Sequence, residues 1–195
     1  EAGSIRVPLA REPSAGADKS QVRFAPAPRR PWPHAAGMIT HLFQIEAIPP
    51  AYLAGVRSAG MDEAGNPFVS EVNEDPRGAP LRCCLRMARI GEAIALIAYA
   101  PPGTKAAYRE VGPVFVHAEP CQGNGDAHAW PAEFRNRRQV LRAYDRAGRI
   151  SDALVIDAVD AEAGIAQLFT DPDVIVMHSR NVAYGCYMFA IRRSD

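Results

Sequence analysis

Residues 138–158 have the sequence RQVLRAYDRAGRISDALVIDA. Two runs rich in apolar residues flank Asp145-Arg-Ala-Gly148, a stretch of residues that favour turns. Two such runs joined by a short polar turn predict a β-hairpin. The clearest local signal in the chain therefore indicates antiparallel strand pairing.

Further strands and helices are predicted on both sides of this hairpin. Strands are expected where apolar residues alternate or form short buried runs, namely at 39–48, 92–100, 112–121, 173–179 and 184–193. Helices are expected where Pro or an acid precedes a helical spread of apolar residues and Gly or Pro follows it, at 49–60 and 160–171. Residues 77–86, RGAPLRCCLR, are typical of a short strand but ambiguous. The sequence thus predicts one α+β domain with a mostly antiparallel sheet and two or three short helices.

The first 37 residues differ from the rest of the chain. They contain six of the 17 prolines, six basic and three acidic residues, and show no sustained periodicity. We expect a flexible proline-rich arm at 1–37, without the apolar core of a secretory signal, and a single globular domain at 38–195.

Charge and hydropathy exclude several classes of protein. The chain has 22 basic and 22 acidic residues, so the domain after the arm carries −3. This balance leaves no excess of basic residues to bind nucleic acid. The longest apolar run, residues 93–100, is far shorter than the roughly 20 residues that span a membrane. We expect no nucleic-acid partner and no membrane insertion; the oligomeric state stays open.

Four segments resemble a known family. In chain order they are EAIALIAYAPP (92–102), EVGPVFVHAEPC (110–121), RRQVLRAYD (137–145) and HSRNVAYGCYMFAIRR (178–193). Their sequence and order are similar to those of DUF1203, a bacterial family of unknown function, and the resemblance covers roughly residues 38–195. It implies no reaction, cofactor or catalytic residue, so the chemistry is argued from the residues.

The four cysteines suggest free thiols rather than disulfides. Cys83 and Cys84 are adjacent, whereas Cys121 and Cys186 are isolated, unlike the dense even spacing of small secreted proteins. This pattern favours a cytoplasmic protein. No C-x-x-C motif is present, so we expect no tightly bound structural zinc, and the cofactor is unknown. The vicinal pair is interpreted as packed side chains, with a strained disulfide as the alternative.

The strand predicted at 112–121 places two ionisable groups on one face. His117 and Glu119 are two residues apart, and side chains alternate across a strand. Together they could orient an imidazole base or bind a metal. The alternative is a structural hydrogen bond between them at the rim of the sheet.

The stretch HSRNVAYGCY, residues 178–187, gathers several reactive residue types. If it is a hairpin, His178 and Cys186 are expected near each other at one end of the sheet. Asn181 and Gly185 suit the turn. Arg180 suits a carboxylate or phosphate, supplied either by the protein or by a ligand.

Two functional hypotheses remain, and whether the protein is an enzyme is open. In the first, a small anionic ligand is bound at one end of the sheet. Its candidate catalytic residues are His117, Glu119, His178 and Cys186, with Cys121 as a further nucleophile or soft ligand, and its candidate binding residues are Arg82, Arg180, Asn181 and Tyr184. In the second, a non-catalytic domain for protein association contains packed Cys and His side chains or a structural metal. We favour the ligand site for residues 178–187.

Overall fold

A computed structural model describes residues 43–194 of the chain. The arm predicted at 1–37 lies outside these residues. Within 43–194 there are ten strands and two α-helices. In chain order they are β1 (Phe43–Glu46), α1 (Pro50–Ala59), β2 (Glu71–Val72), β3 (Pro80–Leu81), β4 (Arg86–Met87), β5 (Ala93–Tyr99), β6 (Gly112–His117), β7 (Arg138–Asp145), β8 (Ile150–Asp157), α2 (Ala161–Leu168), β9 (Val174–Asn181) and β10 (Tyr187–Arg193). Short 3-10 helices lie at Ala106–Tyr108, Ala132–Phe134 and Ala158–Asp160.

The predicted hairpin is confirmed as β7 and β8. Their turn is closed by a hydrogen bond of 2.9 Å from the Gly148 N–H to the Asp145 carbonyl. Gly148 has a φ of +76°, and the backbone nitrogen of Lys105 lies 2.9 Å from where a Cβ would stand. Glycine is therefore required at this turn both by its conformation and by the close approach of another segment.

The hairpin belongs to the first of two five-stranded sheets. That sheet has the order β1-β10-β9-β7-β8, and every neighbouring pair in it is antiparallel. The second sheet has the order β2-β5-β6-β3-β4 and is antiparallel except where β3 pairs with β6. The α+β class and the mostly antiparallel pairing are confirmed. The division into two sheets was not predicted, because local patterns locate strands without assigning their partners.

The first sheet is covered on both faces. On one face Leu141, Met177 and Phe189 pack into a core that includes Ile165 and Leu168 of α2. On the other face Val176, Tyr187 and Ala190 join a second core that includes residues of β5, β6 and α1. Strands β9 and β10 are consequently buried on both faces, so a polar residue within them is as enclosed as an apolar one.

Neither described helix is long and apolar enough to cross a membrane.

Candidate metal centre

A tight hairpin between β3 and β4 carries the adjacent cysteines. Cys83 and Cys84 lie in the turn at residues 82–85, and the Leu85 N–H donates to the Leu81 carbonyl at 2.9 Å. Leu85 has a φ of +56°, a conformation that costs a non-glycine residue about 1 kcal/mol or more. This backbone curvature brings both cysteine side chains towards the end of β6.

Strand β6 ends at His117, and the chain continues from there to Cys121. The end of β6 is held by Arg57 of α1, whose guanidinium donates to the carbonyls of Ala118 at 2.7 Å and of His117 at 3.0 Å. It also donates to the Glu119 carbonyl at 3.1 Å. One helical side chain thus fixes the segment that presents His117 and leads to Cys121.

These two segments bring together Cys83, Cys84, His117 and Cys121, which we name the thiol cluster. The Sγ atoms of Cys83 and Cys84 are 4.0 Å apart. His117 Nδ1 lies 3.4 Å from Cys83 Sγ and 3.7 Å from Cys84 Sγ. All four potential ligand atoms, including that of Cys121, lie within 4.8 Å of one another. Cys83 is buried, and the other three residues are half-buried.

These separations match a tetrahedral zinc site. With Zn–S bonds of about 2.3 Å and a Zn–N bond of about 2.0 Å, two sulfur ligands lie about 3.8 Å apart and a sulfur and a nitrogen about 3.5 Å apart. The three separations among Cys83, Cys84 and His117 differ from these values by a few tenths of an ångström. The donor set, three thiols and one imidazole, suits Zn²⁺ and excludes Mg²⁺ and Ca²⁺, which prefer oxygen.

The Cys83 sulfur accepts the backbone N–H of His117, with 3.2 Å between N and Sγ, a contact that favours the thiolate. Burial is the first cause that raises the pKa of Cys121. The pKa of Cys84 is lowered, first by the hydrogen bond from Cys83 and also by the charge of Arg86. The pKa of Cys83 is raised, first by that shared hydrogen bond and then by burial. Cys84 is therefore the thiol that ionises before Cys83.

An arginine and a carboxylate border the imidazole on its far side. Arg86 places one guanidinium nitrogen 3.0 Å from His117 Nε2 and pairs with both oxygens of Glu92, at 2.6 and 2.8 Å. This pairing lowers the pKa of Glu92 to about 2. Glu92 Oε1 lies 3.8 Å from His117 Nε2. Burial, and next the charge of Arg86, lower the pKa of His117, so the ring is neutral at pH 7.

The carboxylate beside His117 is thus Glu92, whereas the sequence predicted Glu119. Strand β6 ends at His117, so the alternation that would have put Glu119 on the same face does not continue. Glu119 is exposed, and its backbone carbonyl rather than its side chain is engaged.

His178 lies in the core between the two sheets. It is fully buried, with ring centroids 4.5 Å from Tyr144 and 5.2 Å from Tyr187. Its Nε2 is 2.8 Å from the Pro102 carbonyl. Burial lowers the pKa of His178 to about 3. The structure does not bring it together with Cys186, since His178 faces Ala190 across the strand pair.

Arg180 is paired inside the protein. Its guanidinium is 7% exposed, forms an ion pair with Glu110 and donates to the Gly185 carbonyl at 3.1 Å. Arg142 binds the other carboxylate oxygen of Glu110 at 2.6 Å. Glu110 is thus an internal carboxylate partner for this guanidinium, the alternative that the sequence left open, and a ligand at Arg180 stays a prediction.

Arg82 is buried beside the thiol cluster and binds only backbone oxygens among its described contacts. It donates to the carbonyls of Tyr187, at 2.8 Å, and of Pro80. Burial lowers the pKa of Arg82 to about 10, so it stays charged at pH 7. The contact with Tyr187 ties the cysteine-bearing hairpin to the first sheet.

The remaining predicted residues form the turn between β9 and β10. The Asn181 side chain accepts the N–H groups of Ala183 and Tyr184 at 2.8 and 2.9 Å. The Tyr184 side chain is 83% exposed. Cys186 is half-buried, and its Sγ lies 3.7 Å from the Tyr184 carbonyl. This segment is therefore a turn stabilised by hydrogen bonds to the Asn181 side chain, a residue type that suits turns.

Sequence reasoning missed the adjacent cysteines as site residues and put Cys121 second to other candidates. The only available signal was that three of the four cysteines fall within residues 83–121, a span that also holds His117. Without a C-x-x-C motif, the positions of these cysteines do not match the usual spacing of zinc ligands.

The fold and cluster define a class: an α+β domain of two antiparallel-rich sheets with three thiols and an imidazole gathered where a short hairpin meets a strand end. Residues 78–193 match the family described as protein of unknown function (DUF1203), and the chain belongs to that family. The matched range contains the whole thiol cluster and begins 40 residues after the start we expected, at 78 instead of 38. No curated protein and no solved structure matches the chain.

Proposed function

We propose that this domain binds one zinc ion through Cys83, Cys84, His117 and Cys121, and that the ion is structural. The observation that carries the proposal is the set of separations among Cys83 Sγ, Cys84 Sγ and His117 Nδ1, 3.4, 3.7 and 4.0 Å, which fit three corners of a zinc tetrahedron. The Cys121 sulfur, within 4.8 Å of all three, supplies the fourth ligand. Four protein ligands complete the coordination of Zn²⁺, as in other structural Cys₃His sites. The proposal reverses our expectation that no structural zinc is bound.

The structural role follows from what the cluster connects. Cys83 and Cys84 lie in the turn between β3 and β4, whereas His117 and Cys121 lie at and beyond the end of β6. Strands β3 and β4 have only two residues each, so few ladder hydrogen bonds hold this hairpin. A shared ion would cross-link the hairpin to β6 and offset the strained conformation of Leu85.

Elemental analysis of protein purified under reducing conditions without chelator tests the proposal. We expect one equivalent of zinc per chain, and Co²⁺ substitution should give sulfur-to-metal charge-transfer bands. Cys84→Ser should lose the metal, whereas Cys186→Ser, the matched control outside the cluster, should keep it. Wild-type protein that neither contains zinc nor takes up Co²⁺ would overturn the proposal.

A second candidate function is a reactive thiol at Cys84. The observation that favours it is the lowered pKa of Cys84 beside two further thiols and the His117 ring. In this case metal-free wild type is the working form, and iodoacetamide should alkylate Cys84 faster than Cys186 at pH 7. Equal rates at both positions would remove this candidate.

The small anionic ligand, the cytoplasmic location and the absence of nucleic-acid and membrane partners stay proposals. Reduced thiols support a reducing compartment. The neutral net charge supports the absence of a nucleic-acid partner. Support for the ligand is weaker than the sequence suggested, since Arg180 is paired with Glu110.

A further inference from the structure

The hydrogen bond at His117 Nε2 conflicts with metal binding at His117 Nδ1. A guanidinium can only donate, so Arg86, 3.0 Å away, requires Nε2 to accept. In a neutral imidazole the proton then resides on Nδ1, next to the sulfurs of Cys83 and Cys84. This tautomer donates N–H to sulfur and has no lone pair to offer a metal at that position.

Metal binding needs the other tautomer. Nδ1 gives up its proton to coordinate and Nε2 takes one, so the ring stays neutral. The new Nε2–H then faces an N–H of Arg86, which is also a donor. It needs an acceptor, and Glu92 Oε1 at 3.8 Å is the carboxylate oxygen beside it. A displacement of roughly 1 Å brings that oxygen within hydrogen-bond distance.

We propose that Glu92 is the positioning residue of the metal centre, accepting Nε2–H of His117 when the metal is bound, and that Arg86 holds the metal-free tautomer. The inference rests on the proposed zinc site and goes beyond it, because it names the groups that control whether His117 coordinates. Carboxylate partners of ligating histidines orient the ring and raise its basicity. Arg86 contacts both Nε2 and Glu92, so one side chain links the two arrangements.

The matched control is Glu133. It is also a carboxylate paired with an arginine, Arg89 at 2.5 Å, and it accepts a backbone N–H from Met87, next to Arg86, at 2.9 Å. Glu133 is not among the residues that contact His117. Glu133 lies in the short 3-10 helix Ala132–Phe134, against strand β4. Glu133→Gln therefore removes a comparable charge and ion pair beside the hairpin without changing the acceptor at Nε2.

The experiment is a double-mutant cycle of zinc affinity, measured by competition with a chromophoric chelator, with Co²⁺ spectra recorded in parallel. Glu92→Gln should weaken zinc binding about 10- to 100-fold in the wild-type background. It should change affinity less than about 2-fold in the His117→Ala background, where there is no ring to position. Its Co²⁺ d–d bands should shift towards those of His117→Ala, and Glu133→Gln should leave affinity and bands unchanged.

The two proposals fail separately. Wild-type protein that binds no zinc overturns the zinc site and this inference with it. Wild type that binds zinc, with Glu92→Gln weakening it equally in both backgrounds or not at all, overturns the role of Glu92 alone. An equal loss in Glu133→Gln would likewise show that the effect is a general one of charge or stability.

Discussion

The thiol cluster and the C-terminal stretch at residues 178–187 contain the same residue types and use them differently. Each has His and Cys residues with an arginine close by. In the thiol cluster the groups come from separate segments and their reactive atoms lie within 4.8 Å. In the C-terminal stretch the groups are consecutive in sequence, yet His178 enters the core, Arg180 pairs with Glu110 and Cys186 lies in the turn.

Closeness along a strand does not by itself gather side chains into one site. His178 and Arg180 are two residues apart, so they share a face of β9 but stand about 6.6 Å apart along it. Each has its own partner inside the protein, the Pro102 carbonyl for His178 and Glu110 for Arg180. In the thiol cluster, by contrast, the turn between β3 and β4 lies next to the end of β6. The side chains of Cys83, Cys84 and His117 meet there.

The largest effect on stability is expected from replacing a cysteine of the thiol cluster. Free zinc at about 1,000 times its Kd would stabilise the fold by about 4 kcal/mol, since the ion binds the folded chain and not the unfolded one. Cys84→Ser should lose this stabilisation, and Cys186→Ser should keep it. Urea denaturation with and without chelator measures both. If chelator lowers the free energy of unfolding equally in Cys84→Ser and Cys186→Ser, the thiol cluster and the C-terminal stretch do not differ in metal binding.

The second prediction concerns His178 and acid. Its pKa is about 6.5 in the unfolded chain and about 3 in the folded one, where burial is the main cause. As pH falls, the unfolded state takes up the proton first. The contribution of His178 to stability is therefore fully present above pH 6.5 and is lost between pH 6.5 and about 3, at about 1.4 kcal/mol per pH unit.

His178→Phe measures this contribution. Phe keeps a ring between Tyr144 and Tyr187 but cannot bond the Pro102 carbonyl, so it should cost about 1–3 kcal/mol at pH 7. Below pH 6 its free energy of unfolding should fall less steeply than that of the wild type. Chelator in all samples removes any contribution from metal release. Parallel curves for the two proteins would mean that His178 titrates normally and is accessible, as a site residue would be.

The sequence predicted the local elements of the fold and failed where distant segments meet. The β7–β8 hairpin, α1 and α2 each carry their own start, period and stop signals, and all three form as predicted. The two sheets depend on which strand pairs with which, and the pairing of β3 with β6 joins segments more than 30 residues apart.

The thiol cluster likewise depends on contacts between distant segments. Residues 80–87 fold into two strands of two residues around a turn whose Leu85 has positive φ, and leucine gives no signal for that conformation. The approach of Cys121 depends on Arg57, a residue of α1 that binds three carbonyls near the end of β6. Neither feature has a local sequence pattern, so the sequence selected His117 and, as a secondary candidate, Cys121, but not the adjacent cysteines.

Arg180→Ala, in the C-terminal stretch, should lower the free energy of unfolding by a smaller amount. Breaking a fully buried ion pair costs about 3–5 kcal/mol, but Glu110 is 40% exposed and keeps Arg142, so we expect about 2 kcal/mol. Urea denaturation measures the loss, and Arg142→Ala, at a more exposed arginine, should cost less. Thermal shifts of the wild type against phosphates, carboxylates and nucleotides complete the test. Stabilisation by an anion that Arg180→Ala abolishes, without loss of stability, would restore the ligand hypothesis.

The smallest effect is expected at Tyr184, in the same turn. Its side chain is 83% exposed, and the group that the turn uses is its backbone N–H, which donates to the Asn181 side chain at 2.9 Å. Tyr184→Ala keeps that N–H, so the free energy of unfolding should change by less than about 0.5 kcal/mol. Asn181→Ala is the matched variant, because it removes the acceptor of two backbone N–H groups and should cost about 1 kcal/mol. Denaturation curves of both variants, with zinc content determined in parallel, test this. A Tyr184→Ala variant as unstable as Asn181→Ala would show that the exposed ring has a role in the fold. Unchanged stability with loss of anion binding would show that the role of Tyr184 is to bind a ligand.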